Sequence, residues 1–507
     1  MGYYLGGIFY ICKDGPGCPE KTIIISQKAN NMISRRDFLK TAGASAAAMA
    51  VDPLGAFSAS AKNRKEAPKA SEKINVAFIG IGFRGKEDAE KVLETGMVNV
   101  VALCDVNMGA PHTQEIIGRC PGVPQYKDFR KMFDEMAGKI DAVIVGTPDF
   151  SHFPITMRAI KEGIHVYTEK PLCRTFAENQ LLIDAAKKYP NVVTQMGNQG
   201  HSGPNYFQFK AWVEAGIIKD VTHITAHMNG ARRWHGYDVN IKKFPDADPM
   251  PETMDWDVWQ MQTMYHDYSK NFDTGNWRCW YDFGMGALGD WGAHIFDTCH
   301  EFLELGLPYE VGMLKCEGHN DYFFPMASTI QFKFPRRGTK PACDMTWYDG
   351  VNNFPELPIG YGKSQASDVP TVNGQAYVPT KLNPGKEIYT NDLIFKGGSH
   401  SSTLDVIPEA LHKEMDAKGL LPHVPEDYHY NHYINFFNAI KGTEIAHSRF
   451  EVSGPLCQVM NLGVIAQRLN TTFHFDRATN EITDNKFANA LLTGIPPRKG
   501  WEEYYTV

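Results

Sequence analysis

Two groups of residues in this sequence have the types and spacing that chemistry requires. Gly80, Gly82 and Gly85 form the pattern G-x-G-x-x-G, whose backbone can approach a diphosphate group closely. Much further along the chain, Asp290 and His294 lie four residues apart, so they share one face of a predicted helix. A carboxylate beside an imidazole can fix its tautomer and stabilise its protonated form. The sequence therefore combines an anion-binding turn with a candidate pair for proton transfer.

The glycine pattern stands in the strand–turn–helix context that a nucleotide site requires. A buried strand is predicted over 74–79 and a helix over 86–95, so a diphosphate would meet the N–H groups and positive dipole of the helix start. A second strand, predicted over 98–104, ends at Asp105, which lies 20 residues beyond the last glycine. A carboxylate there accepts hydrogen bonds from a ribose 2′-hydroxyl and repels a 2′-phosphate. The sequence therefore favours NAD over NADP as the cofactor.

Strands and helices continue to alternate after this unit. Strands are predicted over 142–145, 164–167 and 192–196, and helices over 155–162 and 176–189. This alternation indicates a doubly wound parallel sheet, in which ligands bind beyond the carboxyl ends of the strands. The candidate side chains that follow strand ends are Thr147, His152, Lys170 and Asn198.

The composition of the chain fits a large globular protein. Its 507 residues carry a net charge of −7 and are 43% hydrophobic and 21% charged, which argues against a disordered or multi-span membrane protein. The mild acidity argues against nucleic acid as a partner. The ten cysteines form no C-x-x-C pair and no zinc-finger spacing with histidine, so we expect no metal site.

The N-terminal region has the features of an export signal. The pair Arg35-Arg36 precedes a short uncharged stretch over 41–51, and Ala59-Ser60-Ala61 follows as a small-residue cleavage site. The paired arginines make this segment resemble a twin-arginine signal, which predicts export to the periplasm. The apolar stretch is too short to span a bilayer, so we expect no membrane anchor. Met32 would give such a signal a compact start.

The sequence pattern changes after residue 198. Strands predicted over 221–228 and 327–334 indicate a mainly antiparallel sheet, and helices are predicted over 286–305 and 452–469. The region near 350–425 is predicted to be a long, loop-rich insertion. The predicted division of the chain is a signal and linker over 1–72, a nucleotide-binding domain over 73–197 and an α+β domain over 198–507.

Together with the glycine pattern, three further motifs resemble one enzyme family. They are Thr147-Pro148-x-x-x-His152, Glu169-Lys170-Pro171 and Gly289-Asp290-Trp291-Gly292-Ala293-His294. In this order they resemble the glucose-fructose oxidoreductase and inositol dehydrogenase (Gfo/Idh/MocA) family of nicotinamide-dependent oxidoreductases. The resemblance covers about residues 73–300 and resumes over 428–476, whereas residues 350–425 match nothing in the family.

This resemblance implies a fold and a site. It implies an N-terminal Rossmann domain followed by an α+β domain with a large open, mainly antiparallel sheet that often builds a homo-oligomer interface, as in a dimer or tetramer. It also implies that Lys170 lies at the nicotinamide and the substrate, with Asp290 and His294 on the first helix of the catalytic domain. The residues assigned to the cofactor are Gly80, Gly82, Phe83, Arg84, Gly85, Asp105, Thr147, Pro148, His152, Glu169, Lys170 and Asn198.

The reaction that this set implies is oxidation of an alcohol, or its reverse. His294 would take the hydroxyl proton while hydride passes to the nicotinamide, and Lys170 would polarise the oxygen. Arg278 and Tyr281 precede the catalytic helix and suit sugar recognition, which makes them candidate substrate contacts. Weaker candidates for lining the same pocket are Trp234, His235 and His400. Since nucleotides are scarce outside the cytoplasm, we expect tightly bound NAD that a second substrate recycles.

Three functions remain open at this point. The leading one is an exported NAD-dependent oxidoreductase that acts on a sugar or glycoside, with C3 of a pyranoside as the expectation that the resemblance supports. The second is an NAD-dependent glycosidase that oxidises its substrate transiently and eliminates the aglycone. The third is a non-catalytic protein that binds a nucleotide or a sugar, which the combination of Lys170, Asp290 and His294 disfavours.

Overall fold

Two large sheets dominate the part of the chain that the computed structural model describes, which is residues 2–5, 8–11, 72–230, 238–273, 275–362 and 382–507. A separate hairpin pairs β1 (Gly2–Leu5) with β2 (Ile8–Ile11). The predicted signal with Arg35-Arg36 and Met32 lies outside the described residues, as do Trp234 and His235. In the described ranges, no helix is both long enough and apolar enough to cross a membrane.

The first sheet consists of β3 (Ile74–Ile79), β4 (Val98–Cys104), β5 (Gln125–Tyr126), β6 (Ala142–Val145), β7 (His165–Thr168) and β8 (Thr194–Met196). The strands pair in parallel in the order β5-β4-β3-β6-β7-β8. Alternate residues of β3 enter two separate cores, with Val76 and Phe78 in one and Ala77 and Ile79 in the other. Both faces of the sheet are therefore buried, which explains the continuous apolar strands and confirms the predicted Rossmann-type fold.

Five helices accompany the parallel sheet: α1 (Phe83–Glu94), α2 (Pro111–Arg119), α3 (Phe129–Glu135), α4 (His152–Lys161) and α5 (Phe176–Lys188). Helix α5 begins at a capping box, in which the Thr175 hydroxyl accepts the N–H of Glu178 and the Glu178 carboxylate accepts the N–H of Thr175. This cap ends the segment after β7 and so fixes the chain that carries Lys170.

The second sheet consists of β9 (His223–Met228), β10 (Glu310–Glu317), β11 (Ala327–Phe334), β12 (Cys343–Gly350), β13 (Gly385–Tyr389), β14 (Ile394–Gly398), β15 (Leu404–Ile407), β16 (Phe473–Asp476) and β17 (Glu481–Ile482). Their order is β15-β14-β13-β9-β12-β11-β10-β16-β17. The pairs are antiparallel apart from β9 with β12. The large open, mainly antiparallel sheet is therefore confirmed.

The helices of this second half are α6 (Pro204–Glu214), α7 (Trp256–Gln260), α8 (Gly286–Ile295), α9 (Asp297–Phe302), α10 (Glu409–Ala417), α11 (His432–Ile440), α12 (Phe450–Leu469) and α13 (Lys486–Leu491). The single helix predicted over 286–305 is wrong, because a turn at Phe296 divides it into α8 and α9. Helix α12 joins the two halves, since Asn461 accepts a 2.7 Å hydrogen bond from Asn179 of α5.

The prediction of a loop-rich insertion near 350–425 is wrong for its second half. That half supplies β13, β14, β15 and α10, and β13 pairs antiparallel with β9 in the open sheet. These strands have only four or five residues, and β14 ends in the pair Gly397-Gly398, so they lack the apolar runs that indicate a strand. Residues 363–381 lie outside the described part of the chain.

Candidate active site

A cavity of about 1120 Å³ opens beyond the carboxyl ends of β3, β4, β6 and β7. It exceeds the range of about 300–1,000 Å³ that is typical of a pocket for one small ligand, so it has room for a dinucleotide beside a substrate. The predicted site residues that line it are Gly80, Gly82, Phe83, Arg84, Asp105, Thr147, Pro148, Lys170, Arg278, Asp290 and His294. The described residues hold no group of three or more His, Cys, Asp or Glu side chains that could bind a metal ion.

The glycine turn closes tightly between β3 and α1. Gly80 has a φ of +76°, which favours glycine, and a Cβ on Gly85 would lie 1.9 Å from the carbonyl oxygen of Gly80. A Cβ on Gly82 would lie 2.5 Å from the ring of His112, and Gly82 is also the residue that caps α1. No side chain of the described residues caps the start of α1 at Gly82, so its first N–H groups are left for an anion such as a dinucleotide diphosphate.

Asp105 lies at the end of β4 beside this turn. One carboxylate oxygen accepts the N–H of Ile81 at 2.9 Å and the other accepts the N–H of Asn107 at 2.9 Å. Burial raises the pKa of the carboxyl group, while these backbone donors favour its charged form. The donors hold the carboxylate facing the cavity, where a ribose hydroxyl can reach it.

Lys170, Asp290 and Arg278 meet on the wall opposite the glycine turn. Lys170 Nζ lies 3.4 Å from Asp290 Oδ1, and Arg278 Nη1 lies 3.5 Å from the same oxygen. Arg278 also pairs with Asp149 at 3.0 Å, and the second oxygen of Asp149 accepts the N–H of Met285, which caps α8. This chain of charges fixes the start of α8 against the segment after β6.

The structure corrects the expected pairing of Asp290 with His294. Both residues lie on the same face of α8, but the ion pairs of Asp290 with described residues are to Lys170 and Arg278. Two cations at 3.4–3.5 Å attract the carboxylate more strongly than a neutral imidazole does. His294 Nδ1 is buried and makes no hydrogen bond to any described residue.

His294 is held in its neutral form by its surroundings. Burial, together with the neighbouring His400 and Lys170, lowers the pKa of His294 well below its ordinary value. The ring of His400 stacks on that of His294, with 3.9 Å between centroids and 17° between planes. A neutral imidazole in this place can accept a proton, which a general base must do.

Arg84 and Glu169 form a buried support behind Lys170. Arg84 pairs with Glu169 at 3.3 Å and with Asp88 at 2.7 Å, and Glu169 lies 3.3 Å from Lys170 Nζ. Although burial favours the neutral acid, Arg84 and Lys170 outweigh it and lower the pKa of Glu169. Glu169 does not line the cavity, and its contact with Lys170 places it as a residue that holds the ammonium group.

Four other predicted residues also lie outside the cavity lining: Gly85, His152, Asn198 and Tyr281. The ring of His152 contacts the carbonyl oxygens of Pro171 at 2.7 Å and Thr147 at 2.8 Å, so it ties two cavity loops together from behind. Asn198 donates to the carbonyl of Ala293 at 3.5 Å, within α8. The contacts of His152 and Asn198 in the structure are thus with the backbone of the loops and of α8.

Tyr281 is likewise corrected from a substrate contact to a core residue. Its ring packs at 4.4 Å from that of Phe324, and the guanidinium of Arg468 lies 5.2 Å above it. Its side chain is buried, and its hydroxyl makes no hydrogen bond to the described residues. The prediction from sequence failed here because an aromatic residue beside a catalytic helix serves a core and a sugar site equally well.

Sequence reasoning missed a segment that covers the far end of the cavity. Residues 251–261 cross back to the loop after β4, where the N–H of Asp255 donates to the carbonyl of Val106 at 2.8 Å. Thr253 Oγ1 donates to Asn107 Oδ1 at 2.7 Å, and Met254 lines the cavity. We call residues 251–261 the clasp. The only feature of the sequence that indicates the clasp is its place in a long connection, and this is weak evidence for a function.

Comparison with known proteins supports both the nucleotide fold and export. A family model described as an oxidoreductase family with an NAD-binding Rossmann fold matches residues 74–196. A model of the twin-arginine translocation signal matches residues 32–51. The first match covers the parallel sheet and its glycine turn, and the second covers the paired arginines.

Curated relatives match part of the chain. It is 27% identical over 224 residues to a glycosyl hydrolase family 109 protein of Shewanella pealeana, which is 41% of this chain and 49% of that protein. It is 27% identical over 144 residues to an inositol 2-dehydrogenase/D-chiro-inositol 3-dehydrogenase of Lactiplantibacillus plantarum, which is 28% of this chain and 40% of that protein. The chain thus spans about half the length, or less, of these relatives.

Solved structures share the fold across most of the chain. A dehydrogenase from Chromobacterium violaceum, solved with NADH and UDP-GlcNAcA, has a TM-score of 0.53 at 13% identity and covers 82% of this chain and 99% of its own. An aldose-aldose oxidoreductase from Caulobacter crescentus, solved with glycerol, has a TM-score of 0.50 at 15% identity and covers 80% of this chain and 100% of its own. These similarities concern the fold alone.

Proposed function

Because the chain belongs to the glucose-fructose oxidoreductase and inositol dehydrogenase family of NAD-binding oxidoreductases, we propose that it acts on a sugar or glycoside. The reaction is oxidation of a hydroxyl group, or reduction of the corresponding ketone, by hydride transfer. One observation carries the proposal. Lys170 and His294 line one cavity with the glycine turn, so a proton-accepting group and a cation face the place where a dinucleotide fits.

The residues of the cavity fit a nicotinamide dinucleotide. The diphosphate has an open helix start at Gly82, and Asp105 faces the cavity with its carboxylate held by backbone donors. Thr147 Oγ1 is buried without a hydrogen bond to the described residues, which leaves it for a ligand in the cavity that Thr147 lines. When bound, the nicotinamide supplies a hydride acceptor. Since Asp105 would repel a 2′-phosphate, we propose NAD rather than NADP.

His294 and Lys170 have different roles toward the substrate. His294, held neutral by burial, accepts the proton of the reacting hydroxyl group. Lys170, fixed by Glu169 and Asp290, holds the oxygen and stabilises the negative charge that develops on it. Asp290 thus acts through Lys170, because its carboxylate orients the ammonium group.

Two further features support a sugar as the substrate and a resident cofactor. Arg278 lines the cavity with its guanidinium over the ring of Trp277, a combination that suits hydroxyl groups and an apolar ring face.

The clasp covers the loop after β4, where Asp105 would hold the ribose. A dinucleotide beneath the clasp leaves slowly, so a second substrate must recycle it in place. Among sugar positions, we keep C3 of a pyranoside as the proposal.

The proposed setting of the enzyme follows from the signal and the two sheets. The twin-arginine match supports export, and we propose the periplasm as the location and Met32 as the start. We propose a nucleotide domain over 73–197 and a second domain over 198–507. Leu314 in β10 and Val351, directly after β12, are exposed apolar residues, and we propose that a homo-oligomer covers this part of the open sheet.

The first experiment is an absorbance spectrum of the full chain, purified from the periplasm, before and after addition of methyl and 4-nitrophenyl glycosides of several sugars. We expect bound nucleotide whose reduced-nicotinamide band rises with one member of the panel. A chain that contains nucleotide but gives no reduction with any sugar would overturn the sugar assignment. A chain that neither contains nor binds nucleotide would overturn the whole proposal.

A second candidate function is glycoside cleavage through transient oxidation. The observation in its favour is that matched relatives carry the names glycosyl hydrolase family 109 protein and alpha-N-acetylgalactosaminidase. The same 4-nitrophenyl panel separates the two, because cleavage releases nitrophenol without net reduction of the nucleotide. A non-catalytic binding role would give neither signal, and the buried charges at Lys170 and Asp290 argue against it.

A further inference from the structure

His400 reaches the cavity from a part of the chain that shares no motif with the family. It lies in the short connection between β14 and β15, at the edge of the open sheet, more than one hundred residues beyond His294. Its ring nevertheless stacks on that of His294 and lines the same cavity. The site therefore contains two adjacent imidazoles from two different elements.

The backbone holds His400 in place from several sides. Its N–H donates to the carbonyl of His294 at 3.3 Å, and its φ of +56° lies in the left-handed region. A Cβ on Gly200 would lie 2.5 Å from the His400 backbone, so this glycine permits the close approach. The amide of Gln208 exchanges two hydrogen bonds with the backbone of Leu404, at 2.6 and 3.1 Å. A strained residue that its neighbours fix so firmly is a feature of functional sites.

The imidazole rings of the two histidines lie face to face. The planes are 3.9 Å apart at the centroids and almost parallel, so in-plane nitrogens cannot hydrogen-bond to the facing ring. His400 Nδ1 pairs with Ser399 Oγ at 3.0 Å, and Nε2 makes no hydrogen bond to the described residues. Nδ1 of His294 and Nε2 of His400 thus have no hydrogen-bond partner among the described residues, and both histidines line the cavity, so each can contact a ligand there.

The charges around the pair keep both rings neutral. Lys170 and Arg84 disfavour a positive ring, whereas Asp290 and Asp297 favour one. Burial is the largest influence on each histidine and, with the cations, lowers the pKa of both. Two positive rings in face-to-face contact would also repel each other. A neutral imidazole can accept a hydrogen bond from a hydroxyl group, so the pair can bind two hydroxyl groups at once.

We propose that His400 is a second substrate contact, which hydrogen-bonds the hydroxyl group on the carbon next to the one that reacts at His294. The substrate class is then a vicinal diol, as in a sugar ring, and an alcohol without the neighbouring hydroxyl group is a poor substrate. This inference rests on the proposed function, because it assigns the reacting hydroxyl to His294. The ring of Trp291 meets that of His400 edge-on, with 5.4 Å between the centroids, and gives this contact an apolar neighbour.

The test compares the sugar that reduces the bound nucleotide with its two monodeoxy derivatives at the carbons next to the reacting one. For the wild-type chain, we expect kcat/KM to fall by about tenfold when the neighbouring hydroxyl group is absent, as one lost hydrogen bond predicts. The His400→Phe variant keeps a stacked ring without nitrogens. In this variant, we expect kcat/KM for the parent sugar to fall by the same factor, mainly through a higher KM. For the deoxy sugar, kcat/KM should change little in this variant, so the difference between the parent and the deoxy sugar disappears.

His400→Asn is the second variant, because asparagine tolerates the left-handed backbone better than phenylalanine does. The matched control is His223→Phe, at a half-buried histidine in β9 that packs on Tyr389 outside the cavity, and it should keep the full discrimination. Undiminished discrimination in folded variants of His400 that retain nucleotide would overturn this inference alone. A wild-type chain in which no sugar reduces the nucleotide would overturn the proposed function and this inference with it.

Discussion

Lys170 Nζ lies 3.4 Å from Asp290 Oδ1, and this contact joins residues 120 positions apart in the chain. Lys170 follows β7 of the parallel sheet, whereas Asp290 lies on α8 beside the open sheet. The contact therefore forms only when both halves of the molecule are in place. Arg278 shares the same carboxylate oxygen at 3.5 Å, so Asp290 has a cation on either side and stays paired if one is removed.

Replacement of Lys170 by methionine tests the role of the ammonium group. We expect kcat to fall by at least about 100-fold, because a fixed charge at the reacting oxygen contributes about that much to catalysis. Bound nucleotide should be retained, since Asp290 keeps its contact with Arg278. The measurement is nucleotide content and single-turnover reduction. Lys315→Met, at a surface residue of β10, is the control, and full turnover in Lys170→Met would contradict the mechanism.

The pH dependence of sugar oxidation tests His294 as the base. A base must be neutral, and burial, His400 and Lys170 lower the pKa of His294 well below its ordinary value of 6.5. The His294 imidazole is therefore already neutral at pH 6.5, and the rate of nucleotide reduction should stay constant as the pH falls through that value. An acid limb centred near pH 6.5 in the wild-type chain, absent in His294→Gln, would show that His294 titrates there and would contradict its lowered pKa. An undiminished rate in His294→Gln would contradict its role as the base.

His201 supplies a buried positive charge behind the site. Burial disfavours its charged form, but hydrogen bonds to Asp297 at 3.2 Å and Glu301 at 2.6 Å outweigh burial and raise its pKa to about 9. Because the folded pKa lies above the ordinary 6.5, the stabilisation is fully present below pH 6.5 and is lost as the pH rises through 9. The shift corresponds to about 3 kcal/mol.

The measurement for His201 is the free energy of unfolding between pH 6 and about 9.5, compared with His201→Gln. The difference between the two proteins should shrink by about 3 kcal/mol across this range, since the glutamine does not titrate. Burial and the charge of His201 lower the pKa of His432 to about 3 and that of His447 to about 4, so both titrate below this range and the comparison isolates His201. A difference that stays constant with pH would mean that His201 is neutral in the folded protein.

The parallel sheet was the part of the fold that sequence predicted best. Local patterns determine it, because each buried strand is a continuous apolar run. The glycine turn is also readable locally, since a side chain at Gly85 would clash with the carbonyl oxygen of Gly80. The cavity residues that follow those strands were predicted for the same reason. The Asp290–His294 pairing failed because helix spacing gives a shared face but cannot reveal competing cations from other elements.

His400 and the clasp illustrate what a single sequence lacks. His400 meets His294 only because β13, β14 and β15 join the edge of the open sheet, and short glycine-containing strands carry little local signal. The clasp depends on Thr253 contacting Asn107, two exposed polar residues whose meeting no periodicity indicates. Long-range contacts between weakly patterned segments thus explain why the sequence offered His400 only as a weak candidate for the pocket and missed the clasp.

The clasp predicts the rate at which nucleotide leaves. Thr253→Val removes the hydrogen bond to Asn107, which is worth about 1 kcal/mol, so bound nucleotide should dissociate about five times faster. The measurement is nucleotide retained during gel filtration against time. The matched control is Thr493→Val, whose hydroxyl donates to Ala490 away from the cavity. Equal loss from both variants would mean that the clasp does not retain the cofactor.

Arg278 and Tyr281 give opposite expectations, although they are three residues apart. Arg278 contacts Asp149 and Asp290 through Nη1 while its planar guanidinium lies over the ring of Trp277. A lysine lacks that planar group, so Arg278→Lys should lower kcat/KM for the sugar by tenfold or more. Tyr281 has a buried hydroxyl without a hydrogen bond to the described residues, so Tyr281→Phe should leave kinetics unchanged. Removal of that unpaired hydroxyl should also keep or raise the melting temperature.

The two variants are measured together by steady-state kinetics and thermal unfolding. A loss of activity in Tyr281→Phe would place its hydroxyl at the substrate and return it to the role that sequence suggested. Normal kinetics in Arg278→Lys would mean that a single cation suffices at Asp290 and that the guanidinium makes no contact with the sugar. The expected contrast separates a residue that faces the cavity from a neighbour that faces the core, a distinction that depends on the 3₁₀ turn at Asn276–Cys279.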